Sequence, residues 1–209
     1  MTVTALCQKT DDRFELELDG AEKLTVPLSL VADLSLYAGR ELNETEAERL
    51  RGAVSLERAK TRALRMLGMR AMSTREIYDR LVEKGECEQD AAACVAWLLE
   101  LHLLSDEDYA AAVVRRCAAK GYGARRAREE LNRHKLPRAL WDAALETLPE
   151  QDETLDRRLL SRLRGASPND RAALEKATDA LLRRGFGWDE IRAAVERLRL
   201  QMETDDTGT

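Results

Sequence analysis

A fifty-residue period in the apolar residues constrains the fold of this chain more than any other feature. From Ser55 onward, apolar pairs one helical turn apart alternate with breaks, and the same order returns twice without a gap. This pattern is typical of three short amphipathic helices in each repeat. One such unit cannot bury both of its sides, so the period predicts three stacked three-helix repeats in an elongated, curved array. The aligned columns are Ala59, Tyr109 and Leu159; Ala63, Val113 and Leu163; Ile77, Ala127 and Ala177; Leu81, Leu131 and Leu181; Ala91, Trp141 and Ile191; Val95, Leu145 and Val195; and Leu98, Leu148 and Leu198.

The first 54 residues follow a different pattern. Apolar and polar residues alternate around Val3, Ala5 and Cys7 and in two later runs, as expected for strands with one buried face. Asp19-Gly20 supplies a turn between the second and third runs. We therefore predict a small three-stranded β-meander, followed by short helices, the second of which begins after Asn43 with a capping residue and a glutamate three positions on.

The predicted fold class is mainly α, with tandem three-helix repeats behind the β-meander. The predicted parts are the meander with its short helices at 1–54, repeats at 55–104, 105–154 and 155–200, and a flexible tail at 201–209.

Residues at the predicted helix ends support this division. Ser73-Thr-Arg-Glu76 has the form of a capping box, and Ser105 precedes three acidic residues that suit the positive end of a helix dipole. Ser167-Pro168 is a candidate helix start. Gly85 and its equivalent Gly185 should each end a second helix in a left-handed conformation. Lys135 takes that place in the second repeat, at a cost of roughly 1 kcal/mol.

Positive charge is concentrated in the middle repeat, between Arg115 and Arg138. This stretch holds nine basic and two acidic residues in a chain whose net charge is −5. Because two carboxylates neutralise only part of nine cations, we predict a contact surface for an acidic partner, either acidic protein side chains or DNA phosphates. The candidate contact residues are Arg115, Arg116, Lys120, Tyr122, Arg125, Arg126, Arg133 and Lys135.

The same charges also fit a simple solvated helix face. Arg125 with Glu129, Arg126 with Glu130, and Glu129 with Arg133 are spaced as i,i+4 ion pairs. The helix would turn Ala124, Ala127 and Leu131 inward and leave Arg125, Arg126 and Arg133 in solvent, with Arg128 nearer the edge of the core.

Catalytic, metal-binding and nucleotide-binding sites have little support in the sequence. The two histidines, His102 and His134, stand apart, and the four cysteines contain no C-x-x-C pair, so we predict reduced thiols, no catalytic site, no metal and no cofactor. Gly121-Tyr-Gly123 and Gly185-Phe-Gly187 lack the strand, third glycine and Lys-Ser/Thr of a phosphate loop, and we interpret them as tight interhelical turns. The tryptophans Trp97, Trp141 and Trp188 are expected to pack between helices.

Several segments together resemble the RecX family of RecA regulators. They are the first unit from Ala59 to Gly85, the middle unit from Leu104 through Lys120-Gly-Tyr-Gly123 to Leu131, and the front segments Leu18-Asp-Gly, Leu36-Tyr-Ala-Gly39 and Leu42-Asn-Glu-Thr-Glu46. The family usually has glycine at the position of Lys135, so this residue departs from the family pattern. The resemblance implies a cytoplasmic protein that binds the RecA–DNA filament, lies in its helical groove and modulates, most often inhibits, its ATP hydrolysis and strand exchange.

Two other functions fit parts of the sequence. Ser73–Leu101 could act as a helix-turn-helix that reads duplex DNA, although its third helix begins Glu88-Gln-Asp90, whose carboxylates repel phosphate. A scaffold for other proteins is a third possibility. No apolar run is long enough to span a membrane, so we expect no membrane partner. We also expect a monomer, because a capped repeat array of this length can be monomeric. Besides the RecA filament, the candidate partner is single- or double-stranded DNA bound without sequence preference.

Overall fold

A computed structural model describes residues 1–148 and 152–206. The mainly α fold with a small antiparallel sheet and three-helix repeats is confirmed. The elements are β1 (Val3–Thr10), β2 (Arg13–Leu18), β3 (Glu22–Pro27), α1 (Leu28–Asp33), α2 (Glu44–Met69), α3 (Thr74–Glu83), α4 (Glu88–Glu100), α5 (Asp106–Ala119), α6 (Ala124–Arg133), a short 3-10 helix (Arg138–Leu140), α7 (Trp141–Glu146), α8 (Asp152–Leu163), α9 (Arg171–Arg183) and α10 (Trp188–Asp206). They form two compact units, one of Met1–Met72 with Glu76–Leu104 and one of Ser73–Arg75 with the residues from Ser105 onward.

The first unit begins with the predicted meander, in the order β1-β2-β3. Asp19 and Gly20 both have positive φ, 48° and 72°, as a tight hairpin turn requires. The predicted face of β1 is wrong beyond Val3, because a register shift lies between Val3 and Ala5 and moves the following side chains to the other face. Leu6 therefore packs on the core, whereas Cys7 is exposed.

Helix α2 joins the meander to the first repeat. It begins at an Asn43–Glu46 capping box, as predicted, but it is 26 residues long rather than short. The predicted boundary at 54/55 therefore falls inside a continuous helix, because a lone Gly52 costs only about 1 kcal/mol in a helix and does not end it. Leu50 packs in the core of the meander, and Ala59 packs in the core of the first repeat.

A buried carboxylate holds two arginines of the first repeat. The Glu86 side chain is fully buried and accepts from Arg58 Nη2 at 2.8 Å, while Arg62 Nη1 lies 2.9 Å from its second oxygen. Arg62 also donates to the Lys84 carbonyl at 2.8 Å, which ties α2 to the end of α3. Because Glu86 lies in the turn after α3, this ion cluster fixes the turn to α2.

The second unit contains the second and third repeats, each around its own core. In both repeats the residues of the first four predicted columns are buried. In the last three columns, the second-repeat residues Trp141, Leu145 and Leu148 are only partly buried. The third helix of the second repeat is shortened, since the 3-10 turn after Pro137 occupies its start. Ala144 fills the core there, in a column with Cys94 and Ala194 that the prediction missed.

Several predicted helix ends are confirmed and others need correction. Ser105 caps α5 by accepting from the Asp108 N–H at 3.1 Å. Asp170, not Ser167, caps α9, because its carboxylate accepts from two successive backbone N–H groups, those of Ala172 and Ala173.

The end of the last repeat also differs from its prediction. Helix α10 continues through residues 201–206 of the predicted tail, since no glycine or proline interrupts it there, and 207–209 lie outside the described residues. At the other end of this helix, Trp188 is 61% exposed instead of packed.

Left-handed residues close the second helix of every repeat. Gly85 and Gly185 have φ of 86° and 89°, and Lys135 adopts φ of 54° at the equivalent site. The prediction that a lysine takes a glycine-type conformation is therefore confirmed. Among the described residues, no helix combines the length and apolar character needed to cross a membrane.

Replacing the buried carboxylate by Glu86→Gln should lower the free energy of unfolding by about 2 kcal/mol, because both guanidiniums lose their charge partner. The value is below the usual cost of breaking a buried pair, since the Arg58 side chain is 59% exposed and regains water. Urea denaturation followed by circular dichroism measures the change. Glu83→Gln, at an exposed site on α3, is the matched control, and equal losses in both variants would contradict the role of the cluster.

Lys135→Gly should raise the free energy of unfolding by about 0.5–1 kcal/mol, because glycine adopts positive φ without the clash of a Cβ atom. Lys135→Ala removes the same charge but keeps the strained backbone, so it should give no gain. The same denaturation experiment compares the three proteins. A stabilised alanine variant would show that charge, not backbone conformation, limits stability here.

Candidate functional site

The basic stretch of the second repeat lies on α5, the turn after it, and α6. Helix α5 ends in a turn in which Gly121 has φ of 63°, its N–H donates to Ala118, and the Tyr122 N–H donates to Cys117 at 3.0 Å. These paired bonds are the usual closure of a helix by a left-handed glycine. The turn brings the end of α5 and the start of α6 side by side, as predicted for a tight interhelical turn.

Five of the eight predicted contact residues line one cleft of about 310 Å³, which we call the second-repeat cleft. Its floor includes Val113 and Cys117, and Glu130 is the acidic residue in its wall. The cleft thus collects four cations around a partly buried aromatic ring. The five predicted residues in its lining are Arg116, Lys120, Tyr122, Arg126 and Arg133, and His134 completes it.

The other three predicted residues lie outside this lining. Arg115 and Lys135 are exposed. Arg125 donates to the Leu182 carbonyl of the third repeat, so it serves a contact between repeats. Arg128 is exposed and does not lie at the edge of the core.

Two of the cleft cations are neutralised by α6 itself. Arg126 lies 2.6 Å from Glu129 and 3.4 Å from Glu130, and Arg133 pairs with Glu130. The hydrogen bond to Glu129 is the main reason that the pKa of Arg126 is raised. Of the pairs suggested by spacing, only that between Arg126 and Glu130 is an i,i+4 pair here, and the others shift to i,i+3.

Arg116 and Lys120 carry the free charge of the cleft. Neither has a carboxylate oxygen within 4 Å among the described side chains of residues 1–148 and 152–202, and both side chains are exposed. Arg116 lies over the Tyr109 ring at 5.8 Å, which limits its motion without removing its charge. An incoming anion would therefore meet these two residues first.

Tyr122 is held between two guanidiniums. Arg126 and Arg184 each lie 5.9 Å from the centre of its ring, and the ring packs on the core of the second repeat. Since both contacts use the ring, the main role of Tyr122 is to position Arg126 and Arg184, and less of the ring is left for stacking against a ligand.

The two Gly-aromatic-Gly turns contact each other, a contact that the sequence did not predict. The Gly123 N–H donates to the backbone carbonyl of Arg184, and the Arg125 N–H donates to the backbone carbonyl of Gly185, both at 3.0 Å. N–H groups at the N-terminal end of α6 thereby bind the carbonyls of the two residues that follow α9, which is also favourable for the helix dipoles. The signal in the sequence was the recurrence of the same glycine pattern in both repeats.

The buried cysteines of the first two repeats are poorly suited to chemistry. Burial raises the pKa of the Cys94 thiol to about 11 and also raises the pKa of Cys117, so both remain protonated thiols at neutral pH. Within the described part of the chain, no group of three His, Cys, Asp or Glu side chains could hold a metal ion.

The fold and the cleft together define a helical-repeat protein with a basic cleft in its second repeat. Family descriptions match both of its first repeats: "RecX, first three-helix domain" matches residues 59–98, and "RecX, second three-helix domain" matches residues 105–145.

Individual relatives give the same result. The regulatory protein RecX of Xanthomonas oryzae pv. oryzae (strain MAFF 311018) is 38% identical over 157 residues, covering 74% of this chain and 98% of the relative. That of Xanthomonas axonopodis pv. citri (strain 306) is 41% identical over 137 residues, covering 64% and 83%. A crystal structure of regulatory protein RecX has a TM-score of 0.74 at 23% identity and covers 92% of this chain and 98% of its own.

The chain belongs to the RecX family, a family of regulatory proteins. This confirms the resemblance inferred from the sequence.

Gly123→Ala should destabilise the second unit by about 1–3 kcal/mol, because a Cβ atom there would lie 2.4 Å from the Gly185 carbonyl oxygen and separate the two turns. Gly187→Ala is the matched control, since its Cβ would meet nothing nearer than Glu190 at 3.4 Å. Thermal unfolding followed by circular dichroism measures both. Equal melting temperatures for the two variants would show that the turns tolerate separation.

Proposed function

We propose that this protein binds the RecA–DNA filament, lies in its helical groove, and lowers its ATP hydrolysis and strand exchange. The observation that carries the proposal is the family relationship, which extends over 98% of a relative named regulatory protein RecX. Modulation of RecA is what the family resemblance implies for this chain.

The second-repeat cleft supplies a contact surface of the right charge for this role. A nucleoprotein filament presents DNA phosphates and acidic protein side chains, and both attract arginine and lysine. Arg116 and Lys120 have free charge, and they are held beside the paired residues Arg126 and Arg133. Because α6 neutralises only part of the cleft, its remaining charge is available to a partner.

The helix-turn-helix alternative has weaker support. Helix α4 would be its recognition helix, and Glu88 and Asp90 occupy the first turn of that helix. Those positions normally approach base edges in the major groove, where carboxylates face the phosphates of both strands. Sequence preference in gel shifts on duplex DNA would favour this alternative.

The first test is a titration of the ATPase activity of RecA from the same organism, assembled on single-stranded DNA. We expect hydrolysis to fall as the protein approaches the amount of RecA, because a groove-bound protein must cover the filament. A fall at far lower amounts would indicate capping of filament growth instead. Unchanged hydrolysis at equimolar protein would contradict the proposal.

Arg116→Gln/Lys120→Gln, which removes the two cations without a carboxylate partner, should require about tenfold more protein for half-inhibition, corresponding to binding that is weaker by about 1.4 kcal/mol. Arg128→Gln/Arg138→Gln removes two exposed charges from the same repeat outside the cleft and should inhibit like the unmodified protein. The measurement is the same ATPase titration, with circular dichroism as a check of folding. If both double variants lose inhibition equally, overall charge and not the cleft determines binding.

A further inference from the structure

A second basic cleft lies in the third repeat, at the end of α8 and α9. It encloses about 340 Å³ and is lined by Arg158, Ser161, Arg162, Arg164, Leu181 and Arg184, with no carboxylate in its wall. We call it the third-repeat arginine cleft. Where side chains are described, in residues 1–148 and 152–202, none of its four arginines has a carboxylate oxygen within 4 Å.

The first repeat shows which counterion is missing from this cleft. Arg158 and Arg162 stand two periods, or one hundred residues, after Arg58 and Arg62 of the first repeat. In the first repeat those arginines share the buried carboxylate of Glu86. The position equivalent to Glu86 is Phe186, which is buried in the apolar core. The third repeat therefore keeps the arginine pair without its internal counterion.

Neutral groups of the fold hold two of these arginines in place. Arg158 Nη2 and Arg184 Nη1 both donate to the Lys120 carbonyl at 3.2 Å, and Arg158 covers Gly121, where a Cβ atom would lie 1.7 Å from its Nη2. A carbonyl at the end of α5 carries only a partial negative charge. The fold thus orders these guanidiniums but does not neutralise them.

Arg158 is under particular electrostatic stress. Burial, followed by the charges of Arg184, Arg162 and Arg157, lowers the pKa of its guanidinium, and its buried Nε–H has no hydrogen-bond partner among the described residues. An anion in the cleft would offset this mutual repulsion. Because Arg158 and Arg184 are already ordered, binding would cost less side-chain entropy than at a flexible surface.

We propose that the third-repeat arginine cleft binds the backbone phosphates of a nucleic-acid strand. Arginine forks match phosphate oxygens in geometry and charge. The lining offers a hydroxyl and guanidiniums but no exposed apolar or aromatic anchor, which favours a phosphate over an acidic protein segment and gives no means of reading bases. This site goes beyond the proposed regulation of RecA, since it requires only this protein and nucleic acid.

The test is fluorescence anisotropy of a labelled oligothymidylate with the full chain at several salt concentrations, without RecA. Arg162→Gln/Arg164→Gln should raise Kd about tenfold and reduce the slope of log Kd against log salt by about 0.7 for each phosphate that is no longer bound. Arg171→Gln/Arg192→Gln removes two exposed charges of the same repeat outside the cleft and is the matched control. Equal weakening in both, or none in either, would overturn the proposal.

A second pair of variants tests the missing counterion directly. Ser161→Glu places a carboxylate in the cleft at an exposed position, so it should weaken binding about as much as the double arginine variant, whereas the neutral Ser161→Gln should bind like the unmodified protein. An oligoglutamate peptide serves as a second probe. If the cleft variants lose the peptide but retain oligothymidylate affinity, the cleft binds protein carboxylates and the proposal is wrong.

Discussion

The backbone contact between the Gly123 and Gly185 turns is the constraint that joins the second repeat to the third. It is possible only because neither glycine carries a side chain, and it sets the start of α6 against the end of α9. The same contact brings Arg158 and Arg184 onto the Lys120 carbonyl and places Arg184 over Tyr122. Two repeats that have separate apolar cores are thereby joined through hydrogen bonds and cations, and two of the arginines of the third-repeat arginine cleft are ordered by that junction.

A single position in the repeat then separates how the first and third repeats use their equivalent pairs of arginines. In the turn after the second helix, Glu86, Leu136 and Phe186 are all buried. A carboxylate there binds two arginines and makes them part of the fold, whereas an apolar residue leaves neighbouring cations to the solvent. The shared spacing of the apolar columns allows this variation because the helices pack through other positions. Repeats of one architecture can therefore differ in what they bind.

The repeats and their helices were predictable because apolar periodicity and helix-end residues act locally. Lys135 illustrates this, since the fifty-residue alignment alone placed it at a left-handed site. The register shift in β1 was not predictable, because alternation indicates a strand but not an irregularity in its pairing. Nor could the role of Arg125 be predicted: its acceptor, the Leu182 carbonyl, is 57 residues away, and local spacing suggested Glu129 instead. The location of the basic surface followed from the local charge count, and its division into cations with and without a partner in the fold required the tertiary structure.

An acidic chain can bind anions when its charges are separated by more than the distance over which salt screens them. The Debye length is about 8 Å at physiological ionic strength, so a ligand in either cleft responds to the nearest guanidiniums and hardly to the net charge of −5. The acidic residues also have local uses, in the first turns of α4, α5 and α10 and in the pairs on α6. Where carboxylates cap helices or bind one particular arginine, they do not oppose the remaining cations. An anion that enters either cleft would therefore respond to the arginines that the fold leaves without a counterion, and the total charge carries little information about this.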